Sequence, residues 1–141
     1  MDIKFRVGIR VDKPVPEVFR AVVEPELLKS YFVAAASGPL EEGRRVKWTW
    51  ADGEEEPIQV DEIVLDKCLV FGWKAFQVPT FTRVKIQVDP HPKGGTKVTI
   101  SESGWEDDQA ALDSAFEHCS GWMHMLMCLK ARLEHDIDLR G

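Results

Sequence analysis

Two glutamates, one histidine and a set of indoles are the side chains of this sequence with chemistry to offer. Glu102 closes an alternating run in phase with Val98 and Ile100, and Glu62 stands in phase with Ile58, Val60 and Val64. A strand at either place turns its carboxylate toward the apolar side unless a bulge intervenes. Arg44 stands in the same relation to Val46, Trp48 and Trp50. A carboxylate on the apolar side needs a partner, such as Arg44 or His118, or a wet cavity, because an unpaired buried charge is costly. Glu102 is therefore the leading candidate for polar contact with a ligand.

Five tryptophans in 141 residues supply rigid aromatic surface of the kind that lines apolar pockets, and that also packs cores. Trp48 and Trp50 share one strand face, Trp73 lies in a later apolar run, and Trp122 falls at helical spacing with Leu126. His118, Cys119, Met123, His124, Met125, Met127 and Cys128 crowd the same C-terminal region and invite a metal reading. Helical geometry argues against it: His124 projects nearly opposite Trp122, and Cys119 and Cys128 face opposite sides. No metal or cofactor is expected. No GxSxG, HExxH, P-loop or GxGxxG pattern occurs, and no serine, histidine and acid are ordered as a triad.

The elements that must position these residues follow from periodicity. Ile3, Phe5, Val7, Ile9 and Val11 alternate with polar residues or glycine as a strand does. Prolines 14, 16 and 25 then introduce two short helices, Glu17–Val23 and Glu26–Phe32. Val46 to Trp50 alternates before the Ala51-Asp52-Gly53 turn, and Pro57–Leu65, Cys68–Ala75, Phe81–Val88 and Thr96–Ser103 are further strands parted by turn residues. From Asp107 to Leu139 there is no proline and one glycine, Gly121, while Ala111, Ala115, Trp122, Leu126, Leu129 and Leu133 form one stripe flanked by His118 and Cys119. Phe116, Met123 and Met127 form a second apolar strip, offset from the first, and are the candidate partner surface. The expectation is a single α+β domain over 1–141, a curved six-stranded antiparallel sheet gripping a long C-terminal helix, with two short helices after the first strand.

Composition bounds the rest. The net charge of −6 argues against nucleic-acid binding, which needs clustered cations. No run approaches the roughly 20 apolar residues of a membrane span, and the N-terminus does not read as a signal peptide, so a cytoplasmic location is expected. Cys68, Cys119 and Cys128 form an odd count with no CxxC pair and read as free thiols.

Several segments resemble the bacterial relatives of the C-terminal domain of the heat-shock-protein-90 ATPase activator, within the START-like superfamily. They are Val11-Asp12-Lys13-Pro14-Val15-Pro16-Glu17-Val18-Phe19 with Pro25-Glu26-Leu27-Leu28, Leu69-Val70-Phe71-Gly72-Trp73, Thr82-Arg83-Val84, Gly95-Thr96-Lys97-Val98-Thr99-Ile100, Ser103-Gly104-Trp105 and Gly121-Trp122. The resemblance implies a helix-grip fold with a cavity between sheet and helix, no obligatory cofactor and no family-wide catalytic residues. Similar sequences often carry histidine where Glu102 stands.

The leading expectation is non-catalytic binding of a small apolar or amphipathic molecule by Trp48, Trp50, Trp73, Glu102, His118, Trp122 and Leu126. A second is a cochaperone-like module that engages a chaperone, or a second copy of itself, through the C-terminal helix. A third is a cyclase-like or hydratase-like enzyme with Glu102 or His118 as acid or base.

Overall fold

A computed structural model of the chain describes residues 1–140. Strand β1 (Lys4–Val11) is followed by helices α1 (Val15–Val23) and α2 (Pro25–Lys29), strands β2 (Ala35–Ala36), β3 (Arg45–Thr49), β4 (Glu55–Val64), β5 (Cys68–Lys74), β6 (Phe81–Pro90) and β7 (Thr96–Ser103), and helix α3 (Gln109–His135). The sheet is antiparallel in the order β1-β7-β6-β5-β4-β3-β2. It therefore has seven strands rather than the expected six. The extra one, β2, is two alanines pairing with Trp48 and Thr49 at the edge, too short to leave a period-two signature.

The alternation seen in the sequence is the alternation of burial. Leu69, Phe71 and Trp73 of β5, Val84, Ile86 and Val88 of β6, and Val98, Ile100 and Glu102 of β7 all point to the covered face. Helix α3 lies over that face and runs against β1, burying Ala111, Ala115, Trp122, Met125, Leu126, Cys128 and Leu129. It is shorter than its proline-free stretch at both ends. Asp108 is the N-cap, its Oδ1 accepting from the Ala111 N–H at 2.8 Å, which satisfies a donor that would otherwise be orphaned. The C-terminal end falls where Asp136 turns left-handed (φ 55°). Helix α2 is also short: Ser30 bonds back to the Leu27 carbonyl through its hydroxyl (2.6 Å) and its N–H (3.0 Å), tightening the last turn.

Two expected inward charges turn out. Between Val60 and Glu62 the β4–β5 register shifts by a bulge, so Glu62 opposes Val70 on the outer face and is exposed. Arg44 precedes β3 and pairs with Glu41 at 3.5 Å in solvent. Among the described residues no helix is long and apolar enough to cross a membrane.

Candidate functional site: an aromatic pocket backed by a buried carboxylate

Glu102 ends the inward row of β7, and three neighbouring elements close on it. Trp73 of β5 and Thr82 of β6 are direct cross-strand partners, while His118 and Trp122 stand one turn apart on α3. Glu102 Oε2 accepts from Trp73 Nε1 at 3.0 Å and from the Thr82 hydroxyl at 2.6 Å, and its Oε1 accepts from Trp122 Nε1 at 2.8 Å. His118 Nδ1 lies 2.9 and 2.8 Å from the two oxygens. The residue is 1% exposed. Removing a carboxylate from water costs several kcal/mol. Hydrogen bonds to a charged group return about 1.5–3 kcal/mol each, so donors on all sides make the burial tolerable.

The partners also fix the histidine. The Phe76 backbone N–H donates to His118 Nε2 at 2.9 Å, and a backbone N–H can only donate, so Nε2 is bare and the proton sits on Nδ1, facing Glu102. His118 is thus a neutral donor, not a counter-cation. Its ring is held edge-on by Trp73 and Trp105, with centroids 5.5 and 5.2 Å away.

In front of this cluster opens a pocket of about 330 Å3 lined by Phe32, Trp50, Trp73, His118, Gly121, Trp122 and His124. The size lies at the lower end of the range for small-ligand sites. Its aromatic walls contact one another: Phe32 meets Trp50 and Trp122 at 5.2 and 5.7 Å, and Trp73 stacks on Trp122 at 5.3 Å. Gly121, an exposed residue of α3, borders the pocket. A Cβ built there would meet no atom within 4 Å.

Of the residues expected at the site, Trp50, Trp73, His118 and Trp122 line the pocket together. Glu102 stands behind them as their common acceptor. Trp48 and Leu126 are sealed in the core, 1% and 0% exposed. The Trp48 indole is enclosed by Phe32, Trp50, Phe71 and Trp73, and its Nε1 has no hydrogen-bond partner. Phe32, Thr82, Gly121 and His124 were not expected, and His124 lines the same pocket as Trp122 although helical spacing sets the two nearly opposite. A glycine inside an otherwise good helix is the one sequence signal that pointed there.

Glu56 of β4 faces inward opposite Trp48; burial pushes its carboxyl upward, and the charge of Lys74 holds it back in part. On the second strip of α3, Phe116 and Met127 are 64% and 50% exposed, whereas Met123 packs against the core. The Cys128 thiol is buried 3.7 Å from His124 Nε2, and burial raises it above its ordinary value, so it is not poised as a nucleophile. Among the described residues no group of three or more His, Cys, Asp or Glu could hold a metal ion. A larger hollow of about 580 Å3 lies on the outer face of the sheet, but Lys4, Asp61, Arg83 and Lys85 wall it, making it a solvated groove between long side chains.

Residues 12–134 match the family described as activator of Hsp90 ATPase homolog 1-like protein. The chain belongs to this family. Among solved structures, a Staphylococcus saprophyticus protein is 26% identical with a TM-score of 0.84 over 99% of this chain and 97% of its own. DynU16, a protein of the dynemicin biosynthetic locus, is 24% identical with a TM-score of 0.85 over 96% of this chain and 49% of its own. The Aha1 dimer from Colwellia psychrerythraea is 19% identical with a TM-score of 0.76 over 94% and 97%. The last two likenesses carry the fold alone. No curated protein matches the chain. In this Hsp90-activator-like family member the fold expected from the sequence, an antiparallel sheet with a long C-terminal helix, is present.

Proposed function

We propose that this chain is a single-domain, cytoplasmic binding protein that holds a small apolar or amphipathic molecule in the pocket between the sheet and α3. The observation that carries this reading is Gly121. Glycine in a helix interior costs about 1 kcal/mol relative to alanine, and here no packing contact requires it, since a methyl group would meet nothing. Exposed on α3, the glycine leaves bare the border of an aromatic pocket whose hidden wall is organised by a fully bonded carboxylate. Places where a sequence departs from local preference without a structural reason are where function is to be sought.

The enzyme reading draws less support. Both Glu102 oxygens and both His118 nitrogens are already bonded inside the protein, leaving neither a free lone pair nor a free proton for a molecule in the pocket. The protein-interaction reading draws on the family description and on the exposure of Phe116 and Met127. It predicts that wild type, and not Phe116→Ser, raises the turnover of an Hsp90-type ATPase.

Titration with the neutral fluorophore N-phenyl-1-naphthylamine tests the pocket reading. The expected result is saturable one-to-one binding to wild type, weakened at least tenfold by Gly121→Leu in a variant of undiminished thermal stability. Absent binding, or equal binding to both proteins, would overturn the reading.

A further inference from the structure

We propose that the pocket selects a cation, an amine or quaternary ammonium group seated against the faces of Phe32, Trp50, Trp73 and Trp122. The inference rests on the pocket reading and adds the charge of the ligand to it. Aromatic faces are negative and attract cations, indole most strongly. Two of these indoles are also polarised from behind, because Trp73 and Trp122 both donate their N–H to Glu102, at 3.0 and 2.8 Å. Donation to an anion pushes electron density into the ring, and coupled hydrogen bonds reinforce one another.

The charge on Glu102 is not cancelled locally. Its partners are two indoles, one hydroxyl and a histidine held neutral by the Phe76 N–H, so the carboxylate is solvated by dipoles and its field reaches the adjoining cavity. Neither lysine nor arginine lines the pocket. Glu56, opposite Trp48 on β4, is a second carboxyl on the covered side of the sheet. An anionic ligand would find few donors, since the indole N–H groups of Trp73 and Trp122 and both ring nitrogens of His118 are spent on internal bonds, which leaves the Trp50 indole and the His124 ring among the lining side chains.

A matched pair of probes separates charge from shape: (4-hydroxyphenyl)trimethylammonium and 4-tert-butylphenol differ in a quaternary nitrogen against a quaternary carbon. Calorimetric titration at low ionic strength is expected to give at least fivefold tighter binding of the cation to wild type. Glu102→Gln is expected to shrink that ratio toward one. Should that variant not fold, Trp50→Leu, which alters a half-buried wall, is expected to weaken the cation more than the phenol. Equal or tighter binding of 4-tert-butylphenol by wild type would overturn the cation assignment and leave the pocket reading standing. Binding of neither probe would overturn both.

Discussion

At the scale of single residues, the argument turns on what surrounds Glu102. Its four partners are neutral donors with no other protein acceptor, so truncating the acid strands all of them at once. Glu102→Ala is expected to cost about 3–5 kcal/mol in urea unfolding, the range for breaking a buried charged cluster. Thr82→Val keeps shape but removes the 2.6 Å bond, with an expected loss of about 1.5–3 kcal/mol. A loss under about 0.5 kcal/mol would mean that the hydroxyl does not serve a charge. The indoles offer an internal control. Trp48 and Trp122 are comparably buried, yet only Trp122 Nε1 has a partner, so Trp122→Phe should destabilise more than Trp48→Phe by at least about 1 kcal/mol. Periodicity alone put Glu102 on the inner face and His118 on the shoulder of the helix stripe. It had no means of showing that two indoles distant in sequence aim their N–H groups at one carboxylate, because that depends on ring orientation set by packing.

At the scale of elements, α3 combines a structural and a functional demand. Gly121→Ala is expected to raise stability by about 0.5–1 kcal/mol from helix propensity alone, while the methyl group added at the border of the pocket weakens probe binding. Gain of stability with unchanged binding would detach the glycine from the pocket. The far end of the helix is tied to the end of β1. Glu134 Oε2 accepts from Lys130 Nζ at 2.6 Å and from the Asp12 N–H at 2.8 Å. The hydrogen bond from Lys130, with that from Asp12, holds the Glu134 carboxyl below its ordinary 4.5. A folded-state value below the unfolded one contributes stability above pH 4.5, and that stability is lost as pH falls from there through the folded value. The protection of the Asp12 amide, with its exchange rate corrected for the intrinsic pH dependence, should accordingly fall on acidification through that window by more than that of the Thr96 N–H in the neighbouring strand; equal falls would show that Glu134 does not hold the junction. The strands were legible because each has one covered face. The exceptions have physical causes: the bulge after Val60 that turns Glu62 outward leaves no mark in hydrophobic period, and β2 is too short to have one.

At the scale of the molecule, sheet and helix together make two aromatic regions with different roles. The main core runs from Trp48 and Phe71 to Trp122 and opens at Trp50 and Phe32, whereas Trp105 belongs to a smaller cluster with Ile3, Ala75, Val78, Ala111 and Ala115, and its Nε1 donates to Ser114. His118 stands between the two regions and joins them through its ring contacts. This division makes the central claim, that a small molecule enters the pocket in front of Glu102, readable from five indole signals. The most direct measurement is a 1H–15N spectrum of the tryptophan indoles during titration with 4-tert-butylphenol. The account predicts saturable shifts largest at Trp50, with Trp73 and Trp122 following and Trp105 least affected. Shifts centred on Trp105, or on the outer-face amides of Lys85 and Ser101 with the pocket indoles unmoved, would contradict it.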